Sequence, residues 1–223
     1  MELRKAAEGL VLKRNVDIVV GLLLLVVAAP ILVVAGILIK MDSAGSVFFF
    51  QDRMGRGFRP FQLFKLRTML AGSEGPEYTL GEDARITRVG RWLRWLKFDE
   101  LPQLWNVVRG DMSLVGPRPV IPALAIEFRE AYAVLLAVRP GLTDPATMKY
   151  CRESDLLALV PDPLGYFKAV LTPNKLRLSA AYMERATVWA DLRILAGTAL
   201  ALFPLKRSMA DEAPGKKVGE RVI

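Results

Sequence analysis

Asp99 and Glu100 stand side by side just before Leu101, Leu104, Trp105 and Val108. Those four apolar residues form the i, i+3, i+4, i+7 stripe of a short helix, and Gly110 is placed to end it. Asp99 is then expected at the helix N-terminus, where unpaired N–H groups and the macrodipole favour negative charge and lower a carboxylate pKa. Aspartate is also a common N-cap, so the pair alone does not define a site. Further on, Gly116-Pro117-Arg118-Pro119 holds an arginine between two prolines, which nearly fix an extended backbone. A guanidinium ordered in advance loses little entropy when it grips a phosphate through two parallel hydrogen bonds. Lys65 and Arg67, two residues apart on one face of an expected strand, supply a second cationic pair roughly 6–7 Å apart. Carboxylates beside several cations suit phosphoryl chemistry, in which a hard divalent metal neutralises charge and a carboxylate attacks.

The composition narrows the chemistry further. The 223 residues include no histidine and one cysteine, Cys151. This excludes histidine acid–base catalysis, Cys/His zinc sites and a disulfide within the chain. Thirty-one basic residues against twenty-three acidic ones give a net charge of +8. An anionic partner follows: nucleic acid, an anionic membrane surface or a phosphorylated substrate. Hydrophobic residues make up 52%, which excludes a disordered chain. No P-loop, dinucleotide fingerprint or internal repeat is visible.

The elements that must hold these residues read as an α+β domain, mostly helical. Val47 to Phe50 and Phe64 to Thr68 read as short strands. Glycine and proline mark residues 70–83 as a loop. Arg88 to Phe98 reads as a helix whose Trp92 and Trp95 lie among Arg91, Arg94 and Lys97. Tryptophans among cations at helical spacing suit the headgroup zone of a bilayer. The same rings packed into a core would be an ordinary alternative. Residues 121–138 and 180–203 are further helix candidates with large apolar faces. The stretch 206–223 is charged and reads as a loose tail. Three parts result: a membrane segment over 1–40, a catalytic domain over 41–205, and the tail.

The membrane segment is the run Ile18 to Ile39, 22 residues without a charge. As a helix it reaches roughly 33 Å, enough for a hydrocarbon core of about 30 Å. A cleaved signal peptide fits poorly, because the run is too long and no small-residue cleavage site follows it. Spanning and re-entrant anchors both remain open on physical grounds. Length favours spanning, whereas Pro30 in mid-run breaks a helical hydrogen bond. Both flanks are basic, with Arg4, Lys5, Lys13 and Arg14 before the run and Lys40, Arg53 and Arg56 after it. A spanning helix carries that excess on one side only.

The order K13-R14-x-x-D17, a proline-broken apolar run, FFFQDRMGRGFRPFQLFKLRTM (48–69), FDELPQLWNVVRGDMSLVGPRP (98–119) and RPG (139–141) resembles the bacterial sugar transferase family, the monotopic polyprenyl-phosphate phosphoglycosyl transferases. The likeness is continuous over roughly residues 10–145, and the block from Asp99 to Pro119 is highly specific. It implies transfer of a sugar 1-phosphate from a UDP-sugar donor to undecaprenyl phosphate, with release of UMP. It also implies Mg2+ and two steps through a covalent phosphosugar on an aspartate. By this resemblance the nucleophile is Asp99, which also holds the metal, and Glu100 is its partner. The phosphate-binding cations fall on Lys65, Arg94 and Arg118, with Arg67 beside them. The anchor becomes a re-entrant helix broken at Ala29-Pro30, on the cytoplasmic face of the bacterial inner membrane, with membrane lipid as a partner. A homodimer is among the assemblies such an enzyme can form. The length matches the family's minimal form.

Two departures from the family pattern stand out. Ala29 replaces a serine before the proline, so no hydroxyl can satisfy the freed backbone there. RPGLTDPAT (139–147) carries Asp144-Pro145 where the family has Gly-Trp, in a region associated with donor recognition. Two other classes compete. A basic membrane-tethered nucleic-acid binder would want its cations in one motif, but they are spread along the chain. A scaffold without catalysis leaves the carboxylate pair and the rigid arginine loop unexplained.

Overall fold

The computed structural model describes residues 2–73, 75, 83–151 and 153–202. The expected tail over 206–223 lies outside them, as does much of the loop 70–83. Helix α1 (Glu2–Asp42) carries the apolar run, with Pro30 inside it. The helix does not end at Ala29-Pro30; the expected break is at most a bend in one continuous helix. A proline removes one donor and crowds the preceding turn, which bends a helix without having to terminate it.

One face of α1 is occupied. Asp17, Gly21, Ala28, Ala35 and Ile39 are buried at spacings of four and seven residues, a single stripe along the helix. Ala28 joins Leu63, Leu104, Val107 and Leu114 in one core, while Ala35 and Ile39 join Leu66 and Leu93 in another. The opposite face is bare, with Val26, Val27, Val33 and Ile37 all more than half exposed. By length and composition α1 is the one helix among the described residues able to cross a membrane.

Strands β1 (Phe48–Met54) and β2 (Pro60–Leu66) form an antiparallel hairpin with Phe49 opposite Lys65 and Arg53 opposite Phe61. Both strands differ from the expected spans. β1 runs on through polar Gln51, Asp52 and Arg53, because pairing to β2 rather than hydrophobicity sets its length. β2 starts earlier and stops before Arg67. Helix α2 (Arg88–Trp95) starts from Thr87, whose hydroxyl accepts from Gly90 N. A Cβ on Gly90 would lie 2.1 Å from the Thr68 carbonyl oxygen, so only glycine lets α2 sit this close to the chain leaving β2. Trp92 and Trp95 are exposed, 65% and 55%, and meet edge to face. They are not core residues.

A 3₁₀ turn (Phe98–Glu100) precedes α3 (Gln103–Arg109), which Gly110 ends in the left-handed conformation at φ 104°. Strand β3 (Ser113–Val115) pairs in parallel with β4 (Gly141–Thr143). Between them lie α4 (Pro122–Glu127) and α5 (Arg129–Leu135), one expected helix divided at Phe128, whose backbone leaves the helical region. Helices α6 (Pro145–Lys149), α7 (Glu153–Leu157) and α8 (Pro163–Tyr166) follow. After a π-helical turn come α9 (Thr172–Glu184) and α10 (Val188–Leu202). The helix expected over 180–203 is therefore two. Thr187 divides them, its hydroxyl accepting from Ala190 N at 3.1 Å as an N-terminal cap.

Candidate active site

The 3₁₀ turn presents the carboxylate pair from a strained start. Lys97, immediately before it, has φ 58°, a left-handed conformation uncommon outside glycine. Asp99 lies inside this turn and not at the N-cap of α3, a position held by Pro102. The expected lowering of its pKa is reversed: burial, and then the charge of Glu100, push the Asp99 carboxyl up, against the pull of Lys65, Lys97 and Arg94. Asp99 is 7% exposed, and its Oδ1 has no hydrogen-bond partner among the described residues.

Glu100 has the opposite surroundings. It forms ion pairs with the Arg118 guanidinium and, at 3.6 Å, with Lys65 Nζ. Burial alone would raise its pKa, but Arg118 and Lys65 together hold the carboxyl well below the usual range. Desolvation lowers the Lys65 pKa, with Glu100 opposing it, while Glu100 raises that of Arg118. Only one Arg118 nitrogen meets Glu100; its other donors make no hydrogen bond to the described residues. Arg94 donates from Nε to Thr68 Oγ1 at 2.8 Å and lies within electrostatic reach of Asp99.

Arg67 belongs elsewhere. Its guanidinium donates to Ala44 O and, at 2.8 Å, to Ser43 O, capping the end of α1. With Arg67 past the end of β2, the strand alternation that paired it with Lys65 does not apply. Asp144, expected near donor recognition, is fully buried. It caps α6, accepting from Thr147 N and Oγ1 at 2.7 Å each, and accepts from Ser179 Oγ. The Asp-Pro dipeptide is thus a helix start.

Several supporting residues escaped the sequence reading. Asn106 is fully buried; its Oδ1 accepts from Phe64 N at 3.0 Å and its Nδ2 donates to Gln62 O at 2.7 Å. This side chain completes the free edge of β2 beside Lys65. Gln103, one turn beyond Asp99, is 1% exposed, and its Nε2 lacks a partner among the described residues. A buried amide looks from sequence like any helix residue, so no signal marked either one. The Arg118 loop is fixed from α1. Asp17 Oδ1 accepts from Leu114 N at 3.0 Å, and Lys13 Nζ donates to Val115 O at 3.0 Å, on the strand that leads into Gly116. Lys13 also pairs with Asp191 of α10, to which Tyr182 donates. Arg14 caps α3 through Val107 O and Val108 O at 2.6 and 2.8 Å.

The turn thus sets a buried carboxylate, with one oxygen lacking a partner among the described residues, beside a second carboxylate paired with two cations, an arrangement chemically suited to a phosphate group. Residues 8–204 match the family model of bacterial sugar transferases, and the chain belongs to that family. It is 39% identical over 195 residues to UDP-glucose:undecaprenyl-phosphate glucose-1-phosphate transferase of Caulobacter vibrioides, covering 85% of this chain and 69% of that protein. The undecaprenyl-phosphate glucose phosphotransferase of Komagataeibacter xylinus is 37% identical over 82% of this chain, but only 34% of its own length is matched. The exopolysaccharide production protein PSS of Rhizobium leguminosarum bv. phaseoli is 35% identical, with 86% of this chain and 95% of that protein covered.

Proposed function

We propose that this chain transfers a sugar 1-phosphate from a UDP-sugar to undecaprenyl phosphate, releasing UMP, as the first membrane step of glycoconjugate assembly. The observation that carries the mechanism is the unequal treatment of two adjacent carboxylates. One Asp99 oxygen has no hydrogen-bond partner among the described residues, and Glu100 is committed to Arg118 and Lys65. In the first step an Asp99 carboxylate oxygen attacks the phosphorus that bears the sugar. The bond from that phosphorus to the UMP oxygen breaks, and UMP leaves with the electron pair. In the second step a phosphate oxygen of the lipid attacks the same phosphorus, the bond to Asp99 breaks, and the free carboxylate returns. An ionised carboxylate needs no general base, which suits a chain without histidine. Lys65, Arg94 and Arg118 screen the approach of anion to anion, and Arg118 has donors to spare for a phosphate oxygen.

No cluster of three or more acidic, histidine or cysteine residues able to hold a metal occurs among the described residues. Magnesium does not need one, since it is commonly bound by one or two carboxylates together with substrate phosphates. The free Asp99 oxygen fits that pattern. Mg2+ bound there would neutralise charge on the donor diphosphate.

For the anchor we favour a re-entrant arrangement on the cytoplasmic face. Lys13, Arg14 and Asp17 near one end of α1, and Asp42 near the other, bond to the same small domain. A straight helix would hold Lys13 and Asp42 about 44 Å apart, more than the hydrocarbon core. A spanning helix would carry those contacts to opposite sides. The exposed Trp92–Trp95 pair then lies in the headgroup zone. Cysteines introduced at residues 5 and 55 should react alike with a membrane-impermeant thiol reagent; opposite accessibility refutes re-entrance. Pro30→Leu should shift the N-terminus toward the periplasm.

The catalytic reading is tested without lipid. Enzyme, UDP-sugar and Mg2+ should release UMP in at most a stoichiometric burst, and intact mass should show one sugar phosphate mapping to Asp99. If UMP appears only after lipid is added, direct displacement in a ternary complex is the mechanism instead.

A further inference from the structure

β1 opens with three consecutive phenylalanines, Phe48, Phe49 and Phe50, exposed by 46%, 48% and 51%. The pleat of a strand sends the middle ring to the opposite face from its neighbours. Residues directly opposite in an antiparallel pair share a face. Phe50 lies opposite Phe64, and the two rings meet edge to face at 5.1 Å. Phe49 lies opposite Lys65 and so shares its face. That is the face of the site, since Lys65 Nζ is 3.6 Å from Glu100. Farther along it, Arg53 donates to Gln51 Oε1 at 2.7 Å and to Pro119 O at 3.4 Å, beside Arg118. The same face carries Leu63 and Phe61, which pack into the core, and Phe49 is its half-exposed end.

That ring adjoins the lipid-facing part of the chain. Val47, its near neighbour, packs against the cluster that Ala35 and Ile39 of α1 form with Leu66 and Leu93. The outer face of the same helix turns Val33, Val34 and Ile37 outward. A polyprenyl phosphate joins a dianionic head directly to an apolar chain, so its site needs a cation and an apolar surface side by side. Phe49 and Lys65 provide that junction at the membrane end of the site.

We infer that Phe49 is an acceptor-binding residue: its ring packs on the first isoprene units of the polyprenyl phosphate and sets the phosphate over Lys65. The inference rests on the transferase reading above. The test compares Phe49→Ala with Phe50→Ala, neighbours of equal exposure on opposite faces, by equilibrium binding of undecaprenyl phosphate and of UDP to the full chain in detergent micelles. Phe49→Ala should raise the Kd for undecaprenyl phosphate about tenfold, the order expected for losing a partly buried ring, with Kd for UDP unchanged. Phe50→Ala should stay within about twofold, and Phe49→Leu should recover most of the affinity. Equal losses from both alanine variants would mean a general membrane contact and overturn the inference. So would no loss from Phe49→Ala, or a loss confined to UDP, which would make the ring a uracil platform. Binding is read without turnover, so a missing UMP burst would refute the covalent step and leave this comparison standing.

Discussion

Two clusters of buried or half-buried charge organise this chain on opposite terms. At the base of α1, Lys13, Arg14 and Asp17 bind backbone groups of β3 and α3, and Lys13, Asp191 and Tyr182 bind one another. Around the 3₁₀ turn, one Asp99 oxygen and the amide nitrogen of Gln103 have no hydrogen-bond partner among the described residues. A satisfied polar cluster fixes two elements against each other and has nothing left to offer a ligand. An unsatisfied one is a standing cost, tolerated where a substrate or ion will complete it. The first cluster carries no chemistry; it holds still the strand from which Arg118 projects.

The sharpest way to break this contrast is Asp99→Asn. It should abolish the covalent adduct and turnover, yet raise Tm by roughly 2–4 °C. The sign follows from the raised pKa. A folded state that binds its proton more tightly than the unfolded chain loses stability as pH rises through the interval between the two pKa values. At neutral pH the charged Asp99 is therefore a burden on the fold. A fall in Tm would show that the charged Asp99 is stabilised within the fold.

Arg118→Ala should cost about 3–4 kcal/mol of transition-state stabilisation, a factor of 10² to 10³ in rate. Arg118→Lys should recover little, because a point charge lacks the planar fork. Near-normal turnover with lysine would reduce its role to charge. Next in size, Asp17→Ala removes the acceptor of Leu114 N and should destabilise by about 2 kcal/mol, read by thermal or denaturant unfolding. The protein that remains folded should still form the Asp99 adduct. A folded Asp17→Ala protein that cannot be labelled would merge the two clusters into one.

The smallest effect is on pH. The acid limb of lipid-free UMP release should sit above the ordinary aspartate value of 3.8. Glu100 runs the other way: its low pKa contributes stability above the unfolded value that is lost only as pH falls through the folded one. Glu100→Gln should accordingly be less stable than the parent at neutral pH, with Arg118 and Lys65 left facing each other.

The sequence made the site more legible than the scaffold. Asp99, Glu100, Lys65 and Arg118 stand out as charges at fixed spacing, whereas Arg94 enters the set only through the family resemblance. The structure brings Glu100, Lys65 and Arg118 into contact, with Arg94 and Asp99 beside them. A two-residue alternation pairs Arg67 with Lys65 only while the chain stays a strand, but β2 ends at Leu66 and the Arg67 guanidinium turns to the end of α1. The apolar stripe starting at Leu101 predicts a helix N-terminus at Asp99, whereas Pro102 delays the helix to Gln103. Asn106 was invisible, since its value lies in reaching the edge of a strand more than forty residues earlier in the chain. The divisions at Phe128 and Thr187 are tertiary in origin, in stretches where hydrophobic periodicity continues.

The single-file stripe on α1 also separates two properties that usually travel together. Asp17, Gly21, Ala28, Ala35 and Ile39 are buried against the domain, whereas Val19, Leu23, Val26, Val33 and Ile37 are each more than half exposed. Solubility in water and integrity of the fold are therefore written in different residues. Recoding the outer set to glutamine, glutamate and lysine leaves the buried stripe of α1 unchanged. It gives a route to a detergent-free version of this protein in which UMP release can be tested with the bilayer removed from the experiment.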